Sequence, residues 1–259
     1  SNGEVIAQVI NSSNFGTFKS VNTTNSKNGG TSFSIGGVGG YAESASSALR
    51  ALVKSCDNYG EMNVQASRNA GVVATLNKNA TVEGCKNYAN ITNTDTKASN
   101  TRVAGIVSAL NAQTSALNCV NKGDIVFAVA GNTTQGYAGG IVGQTNDNSC
   151  VVEGNENYGS VRSDIFNATD ATKKFISIIV ANTNNKTCIV RNNKVGGKIG
   201  PYSDESKVVT ITADNFGSYI FFTPKTQPSI MTGNEFAGEL LTRGIASAQD
   251  FMEFAAAVN

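Results

Sequence analysis

A seven-residue motif returns along this chain, and its recurrence is the strongest constraint on what the chain can fold into. It reads small residue or Cys, any residue, Asn, aromatic, Gly, any residue, aliphatic, as in Cys56-Asp57-Asn58-Tyr59-Gly60-Glu61-Met62. Further copies run from Cys85 to Ile91, Cys119 to Ile125, Asn155 to Val161, Asn193 to Ile199 and Asn234 to Leu240, with a partial copy at Ser12 to Phe18. The glycine-equivalent positions are 16, 60, 89, 123, 159, 197 and 238, so successive copies lie 29 to 44 residues apart. A repeat of that length, with inserts of variable size, predicts stacked supersecondary units in place of an enclosed globule.

Inside the motif the period is two, the period of a strand. Position 0 holds Cys56, Cys85, Cys119, Asn155, Asn193 and Asn234, position +2 holds Asn58, Asn87, Asn121, Asn157, Val195 and Phe236, and position +6 is always aliphatic. The positions between them carry charges such as Asp57, Lys86, Glu61 and Asp124, which belong in water. A second, apolar segment precedes each motif: Val38 to Ala42, Asn69 to Val73, Val103 to Val107, Ala138 to Val142 and Ile176 to Val180, with Tyr219 to Phe222 as the sixth. A third short run follows it, as in Met62-Asn63-Val64 and Ile125-Val126-Phe127. Short apolar runs bounded by Gly, Asn and Thr read as buried strands. Three short strands per rung with like residues in register predict an all-β, right-handed parallel β-helix of about six rungs. Ile106 and Ile125 are expected in its core.

The Gly-Gly-Ile-Val-Gly run at 139–143, followed by Cys/Asn-x-Asn-x-Gly-x-Ile/Val, resembles the GLUG repeat family over roughly residues 5 to 241. That family occurs in large bacterial surface proteins, among them regions attached to IgA-specific peptidases and many Bacteroidetes surface proteins. Ser177 departs from the family's glycine, and the last two motif copies replace Asn-Tyr-Gly. The resemblance implies an extracellular, cell-surface repeat module of an exported bacterial protein with a role in adhesion, and it brings no catalytic residues. In similar proteins a segment like Ile245-Ala246-Ser247-Ala248-Gln249-Asp250-Phe251, ending in Ala-Ala-Val-Asn, opens a further module of the same polypeptide.

Charge gives no case for nucleic acid or anionic membrane, because the formal net charge is +1 and the lysines and arginines are scattered. No apolar run reaches the roughly 20 residues a membrane-spanning helix needs. The chain also lacks a charged-then-apolar leader, so it reads as a mature product or a piece of something longer. Residues 1–244 form one β-helical domain on this reading. Residues 245–259 form a short amphipathic helix, with a capping-box start at Ser247 and an apolar face of Phe251, Met252, Ala255 and Val258, which caps the domain or opens the next module.

Five cysteines in two columns, Cys56, Cys85 and Cys119 in one and Cys150 and Cys188 in the other, predict stacked reduced thiols. Parallel side-chain vectors suit disulfide geometry poorly, and a chain with no histidine and no Cys-x-x-Cys is a poor zinc site. No cofactor is expected. The asparagines at 58, 87, 121 and 157 read as an amide ladder at a corner, with sugar or calcium ligation as the other use of those amides. The +3 residues Phe15, Tyr59, Tyr88 and Tyr158 should point outward, along an edge interrupted by Lys122, Gly196 and Ala237. Tyr59, Tyr88 and Tyr158 are the binding candidates, stacking on a glycan or contacting a host surface protein, though rings there can also simply cover the turn glycines.

Without histidine, Ser-His-Asp and Cys-His chemistry is excluded. The competing enzyme reading is a polysaccharide hydrolase or lyase using Glu83 and Glu153, which fall on the outer face two rungs apart with Leu117 between them. Their backbones would lie about 10 Å apart, near the upper limit for an inverting carboxylate pair. A pure spacer without ligand is the third class.

Overall fold

The computed structural model describes residues 7–19, 33–46, 48–94, 100–128, 136–167, 175–184, 188–221 and 230–237. They form an all-β parallel solenoid. One coil shows the pattern: strands Ser115–Leu117, Val120–Asn121, Ile125–Phe127, Gly136–Gly139 and Val142–Thr145 follow one another. Each pairs in parallel with its equivalents in the coils before and after, giving five sheets of six, seven, seven, five and five strands in that order. From Ser34–Gly36 to Ile176–Ser177 the chain completes about four turns. Among the described residues the one antiparallel pairing is Lys198–Gly200 with Val209–Thr210, where the repeat gives way to irregular chain. Among the described residues helix is confined to short 3-10 turns at Asp164–Asn167, Glu205–Lys207 and Phe216–Ser218.

The three runs read from sequence resolve into five strands. The glycine-rich segment is two strands broken by a two-residue corner such as Gly105-Ile106, and another strand precedes the motif, as at Ala80–Glu83. The corner between that strand and the motif is made by the residue just before position 0. All seven such residues, Asn11, Ser55, Gly84, Asn118, Gly154, Asn192 and Gly233, have φ between 51° and 68°. The left-handed region is cheap only for Gly and tolerable for Asn, which explains a column of Asn, Gly and one Ser.

Position 0 then turns inward and holds the coils together through the backbone. Asn155 Oδ1 accepts from the Cys119 N–H at 3.0 Å, Asn193 Oδ1 from Asn155 N–H at 3.0 Å, and Cys85 Sγ from Cys56 N–H at 3.3 Å. Cys in three coils and Asn in the next three serve there because both are small and both offer an acceptor to the coil before. The core is the axial column of aliphatics, with Met62, Ile91, Ile106, Ile125, Ile141, Val161 and Ile199 all essentially inaccessible to solvent. The segment 245–259 expected as a helix lies outside the described residues, as do Phe222 and Leu240.

Candidate functional site

The asparagine column is a continuous ladder. Asn14 Nδ2 donates to Asn58 Oδ1 at 2.7 Å, Asn58 to Asn87 at 2.8 Å, Asn87 to Asn121 at 2.8 Å, and Asn121 to Asn157 at 2.7 Å. Each amide of Asn58, Asn87, Asn121 and Asn157 also donates to the carbonyl two residues on, at 2.8 to 3.2 Å. These four side chains are completely buried. In Asn58, Asn87 and Asn121 both amide hydrogens and the amide oxygen are therefore engaged inside the wall, while the last amide, Asn157, accepts from Asn121 and donates to the Gly159 carbonyl.

Because +2 faces inward, +3 faces out, and the same register that stacks the amides stacks the rings. Phe15 and Tyr59 lie face to face with centroids 4.9 Å apart, and Tyr59 and Tyr88 at 4.7 Å, both pairs within 2° of parallel. The spacing is that of neighbouring parallel strands. Lys122, read from sequence as an interruption, continues the column instead: its ammonium sits 5.4 Å from the Tyr88 centroid, within cation–π range. Tyr158 stands one coil further on, in register with Lys122, and is not part of the stack. Its hydroxyl donates to the Glu156 carboxylate in its own coil. Burial first, and then that bond, raise the Tyr158 pKa. Tyr59 donates likewise to Asp57 at 3.3 Å, and burial followed by the Asp57 charge raises its pKa too.

This geometry limits what the edge can do. Tyr59 has one face covered by Phe15 and the other by Tyr88, so a sugar ring cannot stack on it. The accessible surface consists of ring edges, the Tyr59 and Tyr88 hydroxyls, the Asp57 carboxylate, the Lys122 ammonium and Phe15, which is 75 % exposed.

Glu83 and Glu153 do flank Leu117 in register on the outer face of the first sheet. Each is held by a cation from an adjoining coil: Lys54 Nζ lies 3.1 Å from Glu83, and Arg191 Nε 2.9 Å from Glu153. A shallow groove of about 510 Å³ beside Glu83 is lined by Gln8, Arg50, Leu52, Thr81, Ser115 and Leu117. Arg50 is fixed across it, donating to Thr81 Oγ1 at 2.9 Å and to the Gln113 carbonyl at 2.6 Å. Sequence reasoning did not single out this arginine.

All five cysteines are buried and reduced. Among the described residues no three His, Cys, Asp or Glu side chains are placed to hold a metal ion, and no helix is long and apolar enough to cross a membrane. Fold and edge together define a parallel β-solenoid repeat protein with an aromatic ladder on one corner. Comparison with protein-family models, curated proteins and solved structures returned no match.

Proposed function

We propose that the chain is a non-catalytic, extracellular surface module of an exported bacterial protein, a stalk or adhesin-like unit that meets glycans or host surface proteins along its aromatic corner. The supporting observation is the continuous Phe15, Tyr59, Tyr88 and Lys122 column on the outside of a rigid solenoid. A hydrogen-bonded solenoid projects such an edge at fixed spacing without needing an enclosed pocket. The motif's resemblance to GLUG repeats supports the surface role. Recognition on this reading uses hydroxyl and carboxylate hydrogen bonds plus the apolar ring edges, in place of ring stacking. A panel of glycans and host surface glycoproteins tested against the full chain decides it, and an absence of binding across the panel would favour the spacer reading.

The groove beside Glu83, crossed by Arg50, supports the alternative of a polysaccharide hydrolase or lyase. Release of reducing ends or unsaturated products from acidic polysaccharides, abolished by Glu83→Gln, would establish that alternative and displace the adhesive reading.

A further inference from the structure

The fourth and fifth sheets join through two-residue corners, and their outward faces turn toward one another in a furrow separate from the main core. On the fourth-sheet wall, Ser34, Arg68, Arg102 and Tyr137 stand in register in successive coils. On the fifth-sheet wall Ser108 and Gly143 are small, a Cβ on Gly143 would touch the Arg102 Cβ at 3.4 Å, and the longer Gln144 side chain meets Arg102 from the same wall. The far end of the furrow is closed by a second apolar cluster of Tyr137, Phe175 and Ala181. The near end opens at Tyr41, which is 54 % exposed.

Elsewhere on the surface, charges in neighbouring coils alternate: Lys54 with Glu83, Glu153 with Arg191, Lys194 with Glu235, Glu43 with Lys78, Arg162 with Glu205. Arg68 and Arg102 break that rule. Their backbones are paired directly, about 5 Å apart by strand spacing, and the Arg68 charge acts on Arg102, a like-charge arrangement that is destabilising. Arg102 is partly compensated, with Nε donating to Gln144 Oε1, Nη1 to the Asn100 carbonyl at 3.0 Å, and its guanidinium 5.5 Å from the Tyr137 centroid. None of these partners is anionic. Burial first, and then the Arg68 charge, still push the Arg102 pKa down to about 10. Arg68 is half-buried, its Nε is shielded from solvent, and that nitrogen has no hydrogen-bond partner among the described residues.

We infer that Arg68 and Arg102 form an oxyanion site, in which a sulfate or carboxylate group enters the furrow from the Tyr41 end and bridges the two guanidinium groups. A guanidinium fork matches both anions and forms charge-assisted, bidentate bonds with them. The inference stands independently of the aromatic corner, which lies on a different part of the coil.

Calorimetric titration of the full chain with sodium sulfate and with a galacturonate oligomer, at constant ionic strength held with chloride, tests it. Binding of either, weakened at least tenfold by Arg68→Gln and restored in part by Arg68→Lys, is the expected result. Sulfate alone would identify a free inorganic anion as the source, and binding of the oligomer a carboxylate on an acidic glycan. In chloride buffer of low ionic strength, Arg68→Gln should melt at or above the parent temperature, because it removes a like-charge contact. The inference fails if the parent binds neither probe, if Arg68→Gln binds as well as the parent, or if it melts lower in the absence of anion.

Discussion

Gly140 and Asn157 occupy one space between them: a Cβ built on the glycine would fall 2.6 Å from the amide carbon of the asparagine. The same holds coil by coil for Gly37 with Asn58, Gly71 with Asn87 and Gly105 with Asn121, at 2.3 to 2.6 Å. One coil beyond Gly140 and Asn157, both partners change together. Ile178 follows Gly140 and Val195 follows Asn157, and then Tyr219 and Phe236 follow these. A polar corner of amide against bare backbone thus becomes an apolar corner of side chain against side chain. The amide ladder stops at Asn157 for the same reason, since Val195 offers no acceptor.

Gly105→Ala should therefore destabilise by about 1–3 kcal/mol, because the added methyl meets the Gly140 carbonyl oxygen at 2.2 Å as well as the Asn121 amide carbon at 2.3 Å. Gly39→Ala is the matched control, with nothing within 4 Å of its added Cβ. It should be neutral or slightly stabilising by restricting the unfolded chain. Urea melts of the two variants check this, and equal midpoints would mean that the amide and the glycine do not share a packed corner.

Ile106→Asp and Ile125→Asp should each prevent folding. Both side chains are fully buried in the axial column, where losing the aliphatic costs roughly 1.5–3 kcal/mol and a carboxylate finds no partner. Circular dichroism and denaturant midpoints are the readouts, and parent-like midpoints would refute the register.

The repeat, the inward columns and the parallel stacking were legible because a shared register places like residues at the same offsets within each motif copy, whatever the length of chain between copies. Strand count was harder to read. A segment such as Val103-Ala104-Gly105-Ile106-Val107 is apolar throughout, so its corner leaves no break in polarity. The left-handed corner column at Asn11, Ser55, Gly84, Asn118, Gly154, Asn192 and Gly233 was a signal present one position before every motif copy. Lys122 looked like a gap in the aromatic edge because residue type hides that an ammonium can sit on a ring. The paired arginines at 68 and 102 escaped notice because they are far apart in sequence and meet only through the coil pitch.

The thiols make a third test. Native labelling should be negligible at all five cysteines and complete after denaturation, because each is buried. Burial pushes the Cys188 pKa up to about 12, so its thiolate is scarce at any labelling pH. A folded-state pKa raised above the unfolded value gives a stabilising contribution that is whole below about pH 9 and is lost as pH rises toward 12. Cys188→Ser should flatten that alkaline loss, and rapid native labelling would refute the burial.

Removing rings from the corner separates its structural role from recognition. Tyr59→Ala opens the stack at its centre, exposing the faces of Phe15 and Tyr88 that Tyr59 covers. Parallel aromatic pairs contribute about 0.5–1.5 kcal/mol each beyond area, so the variant should lose about 1–3 kcal/mol while the buried ladder keeps the fold. Lys122→Ala removes one weakly stabilising cation contact at 5.4 Å and should cost no more than about 1 kcal/mol. If the corner recognises glycans or host proteins through its edges, Tyr59→Phe with Tyr88→Phe should abolish binding and leave the melt nearly unchanged, because the rings stay stacked and only the hydroxyls go. Binding that survives the double phenylalanine variant but not Tyr59→Ala would assign recognition to the apolar ring surface, and binding indifferent to both would move the contact off this corner.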